Sequence, residues 1–252
     1  MHCYAFFFRD LCNNCTLSVI YKVGIGMEDF ATNLLNTLPL FQGIGRSDLA
    51  QFSAYIPHKI MRYYKGEIIA ADETMCDRLI VAFSGEVEIE STSTNSKFAM
   101  REKLQTPVAL QPEALYGIRP RFTYTFKAET EVKTLEIPKE GVTKMFSHFE
   151  VFRLNLANML STMIYRQRHW LWRDLSGTID KRIVNFIHSH CLYPAGEKLL
   201  LITMEDFGGQ INETRFNVAC ALKRLEREGL VRLKRKKIFI PCVEKLIQFI
   251  QD

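Results

Sequence analysis

The spacing of the apolar residues changes once along this chain, and that change limits the possible folds more than any other feature. Over residues 58–138, short stretches alternate apolar with polar residues, as residues 86–90 do, and turn signals recur every ~8–12 residues. After Pro138 the apolar residues recur at three- and four-residue steps instead. The pattern predicts an α+β protein in which an antiparallel β domain precedes a run of helices.

The alternating region predicts a sandwich or roll, because short antiparallel strands joined by tight turns bury one face each. One such turn is expected at Ser84-Gly85. We assign residues 27–138 to a β-roll of the jelly-roll type. Residues 1–26 precede it as an extension, and Met27 is an alternative start of the protein.

The helical region begins with a long apolar stripe. Its side chains step alternately by three and four residues: Phe149, Phe152, Leu156, Met159, Met163, Arg166 and Trp170. This spacing is typical of a coiled-coil seam, so residues 139–173 are predicted to be a dimerisation helix. The predicted interface residues are Phe152, Leu156, Met159 and Met163. Packing of the same stripe on its own domain is the alternative.

Residues 174–177 break the helix and predict a hinge. The second domain is predicted to begin with this hinge and to span residues 174–252. Thr203 followed by Asp206 is a variant of the capping box that begins a helix. Asn212 tolerates the positive φ of a sharp turn, and Thr214 is expected to cap a second helix that ends at Gly229. A β-hairpin follows, which completes the order of a winged helix-turn-helix.

Positive charge is concentrated in this last domain. Between Thr214 and Lys237 there are nine lysines and arginines against two glutamates, whereas the whole chain carries a net charge of only +5. A basic segment of this kind indicates a polyanionic partner such as DNA. A solvated helix face is the alternative interpretation.

Residues 174–241 resemble the DNA-binding domain of the Crp/Fnr superfamily of bacterial transcription regulators. The match needs no gap between Thr203 and Glu226, and residues 222–226 are similar to the end of the family's second helix. The Gly85 roll, the long helix and the hinge extend the resemblance over nearly all of residues 28–252. The resemblance implies a cyclic-nucleotide-binding-like roll and a homodimer. The odd number of cysteines and the lack of a spanning run or signal-peptide pattern favour a cytoplasmic location. It further implies binding of an inverted repeat in double-stranded DNA, with RNA polymerase as a further partner.

The resemblance also assigns roles within the second helix and the hairpin. Arg215 matches the family's arginine in the major groove, where a guanidinium can bond two acceptors of guanine. Thr214, Asn217 and Lys223 match positions that contact phosphates, and Lys234, Arg235 and Lys236 add charge beside them. Phe216 and Cys220 depart from the family pattern, which has glutamate and a second arginine there. Phe216 is expected either on a thymine methyl or tucked into packing.

The pocket of the roll departs further from the family pattern. The family holds a ribose with Gly-Glu and a cyclic phosphate with an arginine followed by Ser or Thr. Here Glu113 follows Gln111-Pro112, and Phe122 occupies the arginine position, with Thr123 after it and Arg121 before it. Glu113, Arg121 and Thr123 are the candidate ligand residues. Control by cyclic AMP is not expected, and the sequence does not identify a small-molecule effector.

The seven cysteines do not form an evident metal site. Cys3, Cys12 and Cys15 cluster near the start, but a four-thiolate zinc or iron–sulfur site lacks a fourth ligand there. We therefore predict no cofactor, and a redox or small-molecule sensor remains the alternative function. No Gly-rich phosphate loop or Gly-x-Ser-x-Gly motif suggests an enzyme. No apolar run reaches the ~18 residues of a membrane span.

Overall fold

The structure is a computed structural model, and it describes residue 35 and residues 37–171 and 177–250. The predicted extension with Cys3, Cys12 and Cys15 lies outside the described residues. The alternative start and positions 174–176 of the predicted hinge lie outside them as well. None of the helices in the described ranges is long and apolar enough to cross a membrane.

The strands of the described residues pair antiparallel in two sheets. They are β1 (Lys59–Tyr63), β2 (Ile68–Ala70), β3 (Arg78–Ser84), β4 (Glu86–Thr92), β5 (Phe98–Gln105), β6 (Val108–Leu110), β7 (Thr125–Ala128), β8 (Val132–Pro138), β9 (Lys198–Ile202), β10 (Arg232–Lys234) and β11 (Lys237–Ile240). One sheet has the order β1-β8-β3-β6 and the other β10-β11-β9-β5-β4-β7-β2. The first eight strands build the predicted roll.

Strand β4 shows why the alternating sequence folds into a sheet of this roll. Val87 and Ile89 are fully buried, while the alternating glutamates Glu86, Glu88 and Glu90 are only partly covered. The turn before β4 is confirmed at Gly85, whose φ of +94° suits glycine. A Cβ at Gly85 would overlap the backbone oxygen of Glu131, so no other residue fits this turn.

Helices make up most of the rest of the described chain. They are α1 (Arg46–Tyr55), α2 (Lys139–His148), α3 (Glu150–Leu171), α4 (Ile179–Ser189), α5 (Met204–Ile211), α6 (Arg215–Arg227) and α7 (Val243–Gln248). The region predicted as one dimerisation helix is therefore divided into α2 and α3. Phe149 separates them because its backbone is extended (φ −121°, ψ 94°).

The apolar stripe of α3 packs on its own chain, which corrects part of the predicted dimer interface. Phe152 and Leu156 are buried in the core of the roll, and the ring of Phe152 lies 5.5 Å from that of Phe41. Met159 is partly buried against the same core, and Met163 is half-buried. The periodicity correctly indicated a buried stripe, but the roll of the same chain covers its first half.

Residues 177–250, which we call the C-terminal half, have the predicted winged helix-turn-helix order. Helices α4, α5 and α6 pack around a separate core that includes Phe207, Val218 and Leu222, all fully buried. The hairpin of β10 and β11 pairs with β9. On its other side β9 pairs with β5 of the roll, so one sheet continues across the predicted domain boundary. The sequence did not predict this pairing.

Candidate nucleic-acid interface

The two helices of the helix-turn-helix begin and end at the residues expected from the sequence. The Thr203 hydroxyl caps α5 by accepting the Asp206 N–H at 3.0 Å, and Thr214 caps α6 by accepting the Asn217 N–H at 3.1 Å. Asn212 ends α5 in the left-handed region with φ +54°. Gly229 follows the end of α6 with φ +72°. All four local predictions are confirmed.

The turn between α5 and α6 is tight because a glycine faces it. The Gly208 carbonyl accepts the Glu213 N–H at 2.8 Å. A Cβ at Gly208 would lie 2.5 Å from the Glu213 oxygen, closer than side chains tolerate. Glycine at position 208 therefore sets how closely the two helices approach.

Helix α6 has one buried face and one exposed face. Val218, Ala221, Leu222 and Leu225 are fully buried. On the other face Arg215, Asn217 and Lys223 are exposed, and Phe216 is 74% exposed. Thus Phe216 is not tucked into packing, whereas Cys220 is half-buried. We call the exposed residues 214–217 and 223, together with half-buried Cys220, the recognition face.

The hairpin beside α6 carries the second group of predicted residues. Lys234, Arg235 and Lys236 are exposed at its tip, where Lys236 has φ +58°. The base of the hairpin is fixed by buried Ile238 and Ile240 and by the Glu226 carboxylate, which accepts the Leu233 N–H at 2.7 Å. We call residues 232–240 the wing. Its charged tip is therefore held on a rigid base next to the recognition face.

Some of the basic side chains near the recognition face are already neutralised. Arg224 donates to both carboxylate oxygens of Asp180, at 2.9 and 3.1 Å. Arg182 pairs with Glu213 and donates to the Ile211 carbonyl at the helix-turn-helix turn. These pairs leave the arginines less able to bind DNA, and they hold α4 against the turn.

Glu213 is a feature of this site that the sequence reasoning missed. Its carboxylate accepts a hydrogen bond from the Asn217 side-chain amide at 3.0 Å, and this bond, with the Arg182 pair, holds its pKa below the ordinary value. Asn217 was predicted to contact a phosphate, but in the structure its amide group donates to this carboxylate. The signal available in the sequence was the i, i+4 spacing of Glu213 and Asn217.

The remaining basic residues are free for an anionic partner. No ion pair within the described part of the chain involves Arg215, Lys223, Lys234, Arg235 or Lys236, and all five are exposed. The N-terminus of α6 lies among them and adds the partial positive charge of its unpaired N–H groups. The arrangement is a cationic surface built on two rigid elements.

The candidate ligand residues of the roll do not converge on a phosphate site. Arg121 is exposed and donates to the backbone oxygen of Glu73, which corrects its assignment as a pocket residue. Phe122 is buried in the core at the position where the family has its arginine. Thr123 is tied to Gln111, whose side-chain oxygen accepts its N–H and whose amide donates to its hydroxyl, both at 2.9 Å.

Glu113 lies at the edge of the same region. Its Oε2 atom is buried and has no hydrogen-bond partner among the described residues. Burial raises the pKa of this carboxyl. A carboxyl in this position supplies no positive charge for a phosphate, which needs a cation and N–H donors.

The roll, the long helix, the helix-turn-helix and the wing thus follow one another in the order that the sequence resemblance implied. The chain has a Crp/Fnr-like fold. No protein-family model matches the sequence, and no curated protein matches it.

Solved structures similar to this chain include several bacterial regulators. The Thermus thermophilus catabolite activator protein is 16% identical, covers 83% of this chain and 97% of its own, and has a TM-score of 0.43. The sensor domain of the regulator DNR from Pseudomonas aeruginosa is 17% identical, covers 61% of this chain and 100% of its own, and scores 0.48. A second Thermus thermophilus protein, a transcriptional regulator of the CRP/FNR family, is 19% identical and has a TM-score of 0.39. The match covers 77% of this chain and 99% of that protein. Likeness at this level carries no information on function, so the proposals below depend on this chain's own residues.

Proposed function

We propose that this chain is a sequence-specific DNA-binding transcription regulator of the Crp/Fnr type that acts in the cytoplasm as a homodimer on an inverted-repeat operator. The observation that carries the proposal is the recognition face, where exposed Arg215 and Phe216 lie at the capped start of α6. Beside it, the wing carries basic side chains that have no ion-pair partner among the described residues. RNA polymerase is the further partner that we propose for this function.

In the proposed complex α6 enters the major groove with its N-terminal residues at the base edges. The Arg215 guanidinium donates to O6 and N7 of a guanine, and the Phe216 ring rests on a thymine methyl. Lys223 and the tip of the wing contact phosphates, which positions the helix without reading sequence. Exposure of all these side chains in the free protein supports this assignment, because no core must open first.

We infer that the dimer forms through the side of α3 that the roll leaves uncovered. Leu154 and Ile164 are 55% and 64% exposed, and exposed Ala157 and Ser161 lie between them at steps of three and four residues. This stripe lies on the opposite side of α3 from Phe152. It has the coiled-coil spacing, with small residues that let two helices approach. Sedimentation of the variant L154E/I164E should give a monomer, and R166E, which changes an exposed charge on the Phe152 side of α3, should stay dimeric.

We further infer that cyclic AMP is not the effector. The phosphate would meet buried Phe122 where an arginine is needed, and the buried Glu113 Oε2, which has no hydrogen-bond partner among the described residues, supplies no cation. A thermal shift titration with cyclic nucleotides should leave the unfolding temperature unchanged. Stabilisation by cyclic AMP would contradict this part of the proposal.

Selection of bound fragments from a random DNA pool tests the main proposal. The wild-type protein should enrich an inverted repeat whose half-sites lie one helical turn apart. R215A should lose preference at one position of each half-site, at a cost of about 1–3 kcal/mol. R224Q removes an exposed arginine that is already paired with Asp180, and it should enrich the same sequence as the wild type. Recovery of unrelated fragments by all three proteins would overturn the proposal.

A further inference from the structure

The C-terminal half is joined to the roll by a continuous ladder of strand pairs. Residues Phe98 to Glu102 of β5 pair antiparallel with Lys198 to Ile202 of β9, in the register Phe98↔Ile202 to Glu102↔Lys198. Among the described residues of its own half, β9 has only β11 as a neighbour, so β5 fills the edge that would otherwise be open. Unpaired edges bind other strands, and this one is occupied within the chain.

Apolar side chains of the roll enter the core of the C-terminal half at this junction. Met100 is 1% exposed and belongs to that core rather than to the core of the roll. The Phe98 ring lies 5.1 Å from Phe186 and 4.9 Å from His190. In the other direction, Tyr193 packs against the core of the roll. The two cores interlock through these residues.

A buried ion pair lies at the end of the ladder. Glu102 and Lys198 are register partners, their charged atoms are 3.3 Å apart, and both side chains are completely buried. The Glu102 carboxylate also accepts the N–H groups of Leu192 at 2.7 Å and Tyr193 at 3.1 Å. The Lys198 ammonium donates to the Ala195 carbonyl. Each charge therefore needs the other half of the molecule.

This pair makes the junction specific as well as tight. A slip of one residue in the β5–β9 register would turn Glu102 to the opposite face and leave Lys198 buried without a counter-ion. The exposed face carries a second pair, in which Lys103 lies 2.7 Å from Glu197 and its pKa is raised by that hydrogen bond. The charges thus select one orientation of the two halves.

The docked orientation does not cover the DNA-binding surface. Arg215, Phe216 and Lys223 are exposed with the junction closed, as is the tip of the wing. A contact that inhibited DNA binding by occlusion would bury these residues. The junction instead fixes where the recognition face points relative to the roll and α3.

We propose that the pairing of β5 with β9, pinned by Glu102 and Lys198, is a built-in lock that holds the DNA-binding half in its DNA-binding orientation without a ligand. This inference depends on the proposed function for its DNA-binding consequence. The lock itself is a property of the free protein and can be measured without DNA.

Hydrogen exchange in the full chain tests the lock. In the wild type, peptides from β5 and β9 should exchange slowly and to the same extent. E102Q and K198M each leave one buried charge without its partner, so exchange in both strands should rise together at least about tenfold. The double variant E102Q/K198M removes both charges and should return exchange toward the wild-type rate. Fast exchange of β9 in the wild type, or different responses of β5 and β9, would overturn the lock.

A reversible cross-link tests whether DNA binding occurs in the locked state. Ala99 and Leu201 are register partners on the half-exposed face, and paired positions of antiparallel strands lie within the distance of a disulfide. Oxidised A99C/L201C should bind the selected operator within about twofold of its reduced form, with A99C as the control for the native thiols. A loss of more than tenfold on oxidation would show that the junction must open. If no form binds DNA, the proposed function fails while the exchange experiment still decides the lock.

Discussion

Removal of charge from the tip of the wing should flatten the salt dependence of DNA binding. In K234Q/R235Q/K236Q, three exposed basic side chains that have no ion-pair partner among the described residues are replaced by neutral ones. Each phosphate contact contributes about 0.9 to the slope of log K against log salt. Six contacts in a dimer would therefore lower the magnitude of the slope by about 5.

Fluorescence anisotropy with the selected operator measures this slope between about 50 and 200 mM salt, where counterion release dominates affinity. A matched control is K59Q/K97Q/K127Q, which removes the same charge from exposed positions of the roll. The control should keep the wild-type slope. If the wing variant also kept the wild-type slope, or if both variants lost the same amount, the wing would not contact the backbone.

The helix-turn-helix gives three further predictions. G208A should lower the free energy of unfolding by about 1–3 kcal/mol, since its Cβ would lie 2.5 Å from the Glu213 oxygen. G209A, which meets nothing within 4 Å, should leave it unchanged or raise it by up to about 1 kcal/mol. Equal effects of G208A and G209A in thermal denaturation would contradict the close approach of Gly208 to the Glu213 backbone oxygen. T214A should cost about 1 kcal/mol through loss of the cap on α6, and T214S should restore it. F216E should change the selected base at one position without lowering the unfolding temperature, because the ring is 74% exposed; a drop would reveal a packing role.

The parts of this structure that the sequence predicted are those set by local chemistry. A cap such as Thr214 depends on residues three positions away, and the left-handed conformation of Asn212 depends on its own side chain. The alternation of apolar and polar residues around Val87 likewise indicates which face of the strand is buried. These signals need no knowledge of the rest of the chain.

The parts that the sequence did not predict depend on contacts between distant residues. The α3 stripe showed that Phe152 would be buried, but periodicity does not say whether its cover is the roll or a second protomer. Glu102 and Lys198 lie 96 positions apart in the sequence (198 − 102), and nothing local links them. The position of Arg121 could not be predicted for the same reason, since the backbone oxygen that it bonds belongs to Glu73, 48 positions earlier in the sequence.

The shared sheet also affects how this protein can be dissected. A fragment cut near residue 174 would leave β5 with one bare edge and Met100 in water, and its counterpart would carry the exposed edge of β9. One fragment would contain Glu102 and the other Lys198, each without its ion-pair partner. In both fragments this charge would lie next to a strand edge that is open to self-association. Poor solubility of either truncated piece would thus reflect the severed sheet and not a defect in the folding of the intact chain.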